Sequence, residues 1–212
     1  MTFESSLPYL SIAAGLGAGV WTGTGSGRLT TFLASAALGA LAMFAYFRWI
    51  APTEAPLGLA LGAAGLALRP RGAGRAAGAM ILLCAEWLVF AYLFLKTGDG
   101  GGALMSDGMR GALAAAVVIV TALALRRLWP ALPRPRGLAV AEAAALVLMF
   151  ATVLTLNWSF WPAMLGTAAV LAAEVLLLLV ASDAVKDRAW IRRLAWGASY
   201  LGQAALAYAF LR

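Results

Sequence analysis

The segment Leu171–Phe210 has the sequence LAAEVLLLLVASDAVKDRAWIRRLAWGASYLGQAALAYAF. It joins two apolar stretches through a short basic connection, a pattern typical of two helices that cross a lipid bilayer in opposite directions. Ser182 and Asp183 follow the first stretch, and Tyr200 and Gln203 lie inside the second. Placing such side chains at membrane depth costs free energy, so they are candidates for a functional site.

The whole chain has the composition of a helical membrane protein. Of its 212 residues, 63% are hydrophobic and only 12% are charged, which is outside the range of soluble domains. Several apolar runs reach the roughly 20 residues that span the hydrocarbon core of a bilayer, and they lack the alternation of a membrane β-barrel. We predict one all-α integral membrane domain over residues 1–212. The N-terminal MTFESSLPYL has no basic region, so we do not expect it to be a signal peptide.

Residue types that are scarce exclude several kinds of site. The chain has no histidine and a single cysteine, Cys84. Histidine-ligated zinc or haem, a histidine general base and an intrachain disulfide are therefore excluded. We expect neither a metal nor another cofactor. The net charge of +7 follows the predicted topology, so we expect no nucleic-acid partner.

Hydropathy along the chain predicts a polytopic bundle of eight transmembrane helices. Seven helices are the main alternative. The eight predicted spans cover residues 7–22, 29–50, 53–68, 76–95, 109–125, 138–156, 162–181 and 194–211.

The distribution of Lys and Arg predicts the orientation of these spans. Twelve of the sixteen lie in the first, third, fifth and seventh connections, and four lie on the other side. Because cytoplasmic connections carry the excess of basic residues, we predict that the odd-numbered connections are cytoplasmic and that both termini are outside. The membrane is predicted to be a bacterial-type inner membrane.

Two glycine pairs at four-residue spacing suggest close helix packing. Gly15 and Gly19 lie in the first span, and Gly58 and Gly62 lie in the third. Such pairs let another backbone approach closely. They predict either a homodimer through glycine-rich faces or tight packing inside one bundle.

Polar side chains inside the spans cluster in depth. With a rise of about 1.5 Å per residue, Glu142 lies about 6 Å from the predicted cytoplasmic boundary, Tyr200 about 9 Å, Glu174 about 10 Å, Gln203 about 13 Å and Glu86 about 15 Å. All five fall in the predicted cytoplasmic half. This clustering favours a polar cavity that opens towards the inner leaflet.

Each of these residues also has a structural alternative. A glutamic acid in a span can donate a single interhelical hydrogen bond, which is the interpretation preferred for Glu142 and one of two open for Glu174. Asp183 can sit in water, and Gln203 can join helices. Glu86, the deepest and flanked by aromatic residues, is the strongest functional candidate.

The motifs resemble those of the YhhN family of eight-span membrane proteins, which includes the lysoplasmalogenases. Ser182-Asp183 resembles the family's Ser-Asp at the end of span seven, and Tyr200-Leu201-Gly202-Gln203 resembles its Tyr-x-x-Gln in span eight. Weaker likeness lies upstream, in Arg28-Leu29-Thr30-Thr31 and in the glycine-rich third span. The resemblance covers the last 40 residues well and most of the remaining chain loosely.

Two departures from the family pattern concern its acidic and basic groups. The family's third-span motif ends in Gly-Asp, whereas this chain has Gly65-Leu66. The family's span-four His is replaced by Glu86. One carboxylate is therefore missing, and another is present nearby.

The resemblance implies hydrolysis of the vinyl ether bond of a lysolipid, with a lysoplasmalogen as the substrate. In this hypothesis Glu86 is the general acid, and Asp183 is the base or cation stabiliser. The remaining site residues would bind the substrate or water: Tyr200, Gln203, Glu174, Ser182, Arg28 and Arg75. The alternative is a non-catalytic membrane protein that binds or carries a lipid or another apolar ligand in the same cavity.

Overall fold

The computed structural model describes residues 3–22, 27–47, 53–68, 73–99, 102–132, 135–181, 186 and 188–210. Over these ranges the chain is helical apart from short turns, and they contain no β-strand. The helices are α1 (Phe3–Trp21), α2 (Gly27–Phe47), α3 (Glu54–Leu68), α4 (Ala73–Thr97), α5 (Gly102–Ser106), α6 (Gly108–Leu128), α7 (Arg136–Val153), α8 (Trp161–Ala181) and α9 (Ala189–Ala209). A helix lies at each of the eight predicted spans, and α5 is an additional short helix.

Within the part of the chain that the structure describes, five helical segments are long and apolar enough to cross a membrane: Leu29–Phe47, Ala77–Thr97, Gly108–Leu128, Arg136–Val153 and Trp158–Val180. The segments Ser6–Val20 and Glu54–Leu68 are apolar but shorter. Helix α9 does not join the group of five, because Arg192, Arg193 and its polar side chains lower its hydropathy. The chain is thus an all-α integral membrane protein, as predicted in outline.

The described helices pack as a closed ring in the order α1, α2, α3, α4, α7, α8 and α9, with α9 contacting α1. Helix α9 also reaches inward to α2 and α3. Helix α6 lies outside this ring against α7. Only 6% of its apolar stretch is buried. We call the end at which α1, α3 and α8 finish and α2, α4 and α9 begin the basic end, because most Lys and Arg lie in its connections.

The glycines of α3 form the surface on which α4 packs. A Cβ at Gly58 would lie 2.8 Å from the ring of Phe90, and a Cβ at Gly62 would lie 2.5 Å from Oε1 of Glu86. At Gly65 the nearest atom would be Leu83 Cγ, at 3.0 Å. Side chains of α4 occupy the space beside Gly58 and Gly62, so this glycine pair packs inside one bundle. The homodimer stays a prediction.

The end of the bundle opposite the basic end is held together by polar and aromatic contacts. Phe94 of α4 stacks on Phe210, with the ring centroids 5.9 Å apart. Lys96 Nζ lies 2.6 Å from Glu54 Oε1. Arg110 Nη1 donates hydrogen bonds to carbonyl oxygens in the turn between α7 and α8. These contacts close one end, whereas the basic end holds a cavity.

Candidate functional site

A cavity of about 290 Å³ lies at the basic end, between α2 and α3 on one side and α8 and α9 on the other. Its described lining combines hydroxyl groups, one guanidinium, one indole and aliphatic side chains: Thr22, Thr30, Thr31, Ala34, Leu66, Leu177, Arg192, Ala195, Trp196 and Ser199. Ligand pockets usually measure about 300–1,000 Å³, so this cavity is large enough for a polar head group but not for a whole lipid.

One face of α9 forms a wall of the cavity. Arg192, Ala195, Trp196 and Ser199 recur at the spacing of successive helical turns, so their side chains share a face. Among the long helices, α9 is the most amphipathic. Arg192 marks the start of this face at the basic end, and Ser199 lies two turns deeper. The cavity-facing side of α9 therefore combines the polar groups of Arg192 and Ser199 with the apolar surface of Ala195 and Trp196.

Gln203 continues the same face one turn beyond Ser199. Its side chain is only 3% exposed. Its Oε1 atom has no hydrogen-bond partner among the described residues. A buried amide oxygen without a partner costs free energy, so this position is a candidate for contact with a ligand or an ordered water.

Tyr200 is held by protein groups on two other helices. Its hydroxyl lies 2.9 Å from Ser11 Oγ on α1, and Ser11 in turn donates to the carbonyl oxygen of Ala37 on α2, at 2.8 Å. A Cβ at Gly15 would lie 2.8 Å from the tyrosine ring. The first-span glycine pair thus also packs within the chain, and Tyr200 joins α9 to α1 and α2.

The indole of Trp196 serves both the cavity and this helix junction. It lines the cavity, and its Nε1 donates a hydrogen bond of 3.0 Å to the carbonyl oxygen of Gly15. It also stacks on Tyr200, with the ring centroids 5.9 Å apart. These contacts fix the orientation of the ring that forms the cavity wall.

Glu86 is fully buried and does not belong to the described lining of this cavity. Its carboxyl group packs against Gly62 of α3. Leu66, which does line the cavity, follows Gly62 by one helical turn, or about 6 Å along the axis. The carboxyl group therefore lies deeper in the bundle than the cavity wall at Leu66.

The structure describes only some of the other predicted site residues. Glu174 is partly exposed on α8, one turn before Leu177, and is not in the described lining. Glu142 is partly exposed on α7. Four further predictions lie outside the described residues or side chains: Ser182, Asp183, Arg28 and Arg75. Their roles stay predictions.

Sequence reasoning did not assign Arg192, Trp196 or Ser199 to the site. In the sequence Arg192 belongs to a basic connection, and Trp196 and Ser199 precede the Tyr-x-x-Gln motif that begins at Tyr200. The helical spacing of these residues along α9 is the signal that indicates a shared face. The described residues contain no group of three or more His, Cys, Asp or Glu that could hold a metal ion.

No protein-family model, no curated protein and no solved structure matches the chain. The likeness to the YhhN family therefore rests on the quoted motifs. Of the residues in those motifs, Thr30 and Thr31 line the cavity, whereas Tyr200 and Gln203 are not in its described lining.

Proposed function

We propose that this integral membrane protein takes the head group of a lysolipid into the cavity at the basic end and hydrolyses the vinyl ether bond of that lipid. One observation carries the proposal. Thr30 and Thr31, from a segment that resembles the YhhN family, line the same cavity as Leu66, which stands where the family motif has Asp, and Ser199, which directly precedes the Tyr-x-x-Gln motif. This convergence supports a common ligand site for the three segments.

The proposal includes an eight-span topology in a bacterial-type inner membrane. The basic end faces the cytoplasm, and both termini lie on the opposite side. Twelve of the sixteen Lys and Arg residues support this orientation, because basic connections are retained in the cytoplasm. The cavity then lies at the level of the inner-leaflet head groups, with the bilayer interior beneath it.

This placement orders the parts of the substrate along the membrane normal. The head group occupies the cavity, and the alkenyl chain runs deeper, past Leu66 and towards the level of Glu86. The vinyl ether joins those two parts of the lipid. In the proposed complex it therefore lies between the polar lining and the Glu86 carboxyl group, which is fully buried against Gly62 and has to become accessible from the cavity for proton transfer.

The proposed reaction needs one acid and one base. The carboxylic acid of Glu86 donates its proton to the alkenyl carbon that is not bonded to oxygen, and the electrons of the double bond form the new C–H bond. Water attacks the resulting oxocarbenium carbon while the Asp183 carboxylate accepts a proton from that water. Asp183 then passes its proton to the leaving oxygen of the hemiacetal while the Glu86 carboxylate accepts the hydroxyl proton, so that a fatty aldehyde and an alcohol are released and both carboxyl groups return to their starting states. Two carboxyl groups in different environments can divide these roles.

The experiment measures aldehyde release from a lysoplasmalogen by the purified protein in detergent. We expect Glu86→Gln and Asp183→Asn each to lower the rate by about 10²–10⁴-fold, the usual contribution of general acid–base catalysis. The matched controls are Glu142→Gln, in another span, and Asp99→Asn, which is exposed near the opposite end; both should retain the rate. Folded protein that releases no aldehyde above background would overturn the proposal.

The second candidate function is binding of a lipid or another apolar ligand without turnover. The described lining of the cavity contains no carboxylate, and Leu66 occupies the position at which the family motif has Asp. Bound lipid that is recovered unchanged, together with full ligand affinity in Glu86→Gln, would favour this function over hydrolysis.

A further inference from the structure

We infer that the cavity at the basic end recognises a phosphate group and that Arg192 is the specificity-determining residue that holds it. The inference rests on the proposed function in one respect, since both assign this cavity to the ligand.

The charge of the lining supports an anionic ligand. Arg192 is the one charged side chain in the lining that the structure describes. Its guanidinium offers five N–H donors and no acceptor, and it pairs with phosphate through two parallel hydrogen bonds. Its position at the start of α9 places it at the mouth of the cavity, where a phosphate would enter.

The neutral polar side chains can complete a phosphate site. Thr30 and Thr31 lie on α2, and Ser199 lies on α9. Hydroxyl groups can both donate and accept hydrogen bonds, so they suit phosphate oxygens as well as the hydroxyl groups of an attached alcohol. Ser199 lies about 10 Å deeper than Arg192 along α9, a separation that fits a phosphate at the mouth and its alcohol further in.

The aliphatic walls and the size of the cavity restrict the rest of the ligand. Leu66 and Leu177 face the cavity from α3 and α8, and Trp196 adds an aromatic surface. A volume of about 290 Å³ holds a small phosphate ester but not its acyl or alkenyl chain. Two sources fit this chemistry: the head group of a single-chain phospholipid, and a soluble phosphate ester such as glycerol phosphate.

Neighbouring arginines provide a matched pair of variants. Arg192 and Arg193 are both exposed, adjacent on α9 and equal in charge, but only Arg192 belongs to the described lining. Arg192→Gln and Arg193→Gln therefore change the net charge equally. A difference between them reports on the cavity and not on general attraction between a basic surface and an anionic ligand.

The test is a titration of the full chain, purified in a maltoside detergent that contains no phosphate, followed by isothermal titration calorimetry. The ligands are lysophosphatidylethanolamine, glycerol phosphate and, as an uncharged control, a monoacylglycerol. For the ligand that binds, we expect Arg192→Gln to weaken the affinity about tenfold or more, the usual effect of losing a charge-assisted hydrogen-bond pair. Arg193→Gln should change it less than twofold, and Arg192→Lys should give an intermediate value because it keeps the charge without the bidentate geometry.

Each outcome of the titration has a defined meaning. Arg192-dependent binding of the lysophospholipid alone identifies a lipid head group, and competition by glycerol phosphate identifies a soluble ester; both support the inference. Equal losses in Arg192→Gln and Arg193→Gln, or equal affinity for the monoacylglycerol, would overturn it. Arg192-dependent binding without aldehyde release would discard the hydrolase and leave the phosphate site. Aldehyde release that Arg192→Gln does not affect would discard the phosphate site and leave the hydrolase.

Discussion

Gly166 of α8 and Gly202 of α9 face each other at backbone contact. A Cβ at Gly166 would lie 2.5 Å from the carbonyl oxygen of Gly202, and a Cβ at Gly202 would lie 2.6 Å from the carbonyl oxygen of Gly166. Small residues that permit such an approach are the usual means by which membrane helices associate closely. The close packing of α8 on α9 therefore depends on the absence of side chains at these two positions.

The first prediction concerns Gly166→Ala. The added methyl group meets backbone atoms and not a movable side chain, so the two helices must separate. Overpacking of this kind usually costs about 1–3 kcal/mol, and we expect the free energy of unfolding to fall by that amount. The measurement is unfolding by SDS titration in mixed micelles.

Gly39→Ala is the control for this measurement. A Cβ at Gly39, on α2, would meet no atom within 4 Å. Replacing a glycine without strain leaves stability unchanged or raises it by up to about 1 kcal/mol. Equal stability of the Gly166→Ala and Gly39→Ala proteins would contradict the observed contact between α8 and α9.

Hydropathy determines where the helices form, whereas packing determines how they are rotated against one another. Long apolar stretches dictate helices, so a helix was found at each predicted span. The depth of Glu86 could also be estimated, because it depends only on the rise per residue. Its neighbour Gly62 could not be predicted, because the rotation of α4 relative to α3 depends on how Leu83, Glu86 and Phe90 fit the glycines of the facing helix.

A cavity lies at the basic end, towards which a polar cavity was predicted to open, but none of the five polar residues behind that prediction is in its described lining. A polar cavity was inferred from acids and amides at similar depths. Depth alone does not determine which face of a helix meets a neighbour. The α9 residues that line the cavity recur at helical spacing and include Arg192 and Ser199. On this helix the Tyr-x-x-Gln motif indicated only Tyr200 and Gln203.

The second prediction concerns the hydrogen bonds at Ser11. The hydroxyl of Ser11 donates its single proton to Ala37, so the Tyr200 hydroxyl must be the donor in the bond between Tyr200 and Ser11. A double-mutant cycle with Ser11→Ala and Tyr200→Phe should give a coupling free energy of about 0.5–1.5 kcal/mol. SDS-titration unfolding of the four proteins provides this value.

Tyr9→Phe serves as the comparison for the tyrosine substitution. Tyr9 lies on α1 and is exposed, so removal of its hydroxyl should leave the free energy of unfolding within about 0.5 kcal/mol of its original value. A coupling energy near zero in the Ser11–Tyr200 cycle would show that these two hydroxyls do not join α1 to α9.

The third prediction concerns Arg110, which is 7% exposed near the start of α6. Its Nη1 donates to the carbonyl oxygens of Leu154 and Leu156, at 2.8 and 2.9 Å, and its guanidinium lies 4.8 Å from the ring centroid of Trp158. Arg110→Gln leaves both carbonyl oxygens without this donor. We expect the free energy of unfolding to fall by about 1.5–3 kcal/mol, as for other hydrogen bonds to charged groups.

Arg126→Gln is the matched control because Arg126 lies near the other end of α6 and is exposed. Its effect on the free energy of unfolding should stay within about 0.5 kcal/mol. A similar small effect of Arg110→Gln would mean that the turn between α7 and α8 keeps its conformation without the arginine.

The fourth prediction concerns Leu66, which lines the cavity one turn from the Gly62–Glu86 contact. If the chain is a vinyl ether hydrolase that lacks one acidic group, Leu66→Asp places a carboxylate in the cavity wall close to the proposed path of the substrate. We expect aldehyde release from a lysoplasmalogen to rise by about tenfold or more, which is part of the roughly 10²–10⁴-fold that a well-placed general acid or base contributes. Leu177→Asp adds the same charge to the same cavity from α8 and should not raise the rate, because α8 lies across the cavity from Glu86 and α3. An equal rise in both variants would indicate a general effect of added charge. No rise in a folded Leu66→Asp protein would show that the missing carboxylate at this position does not limit the reaction.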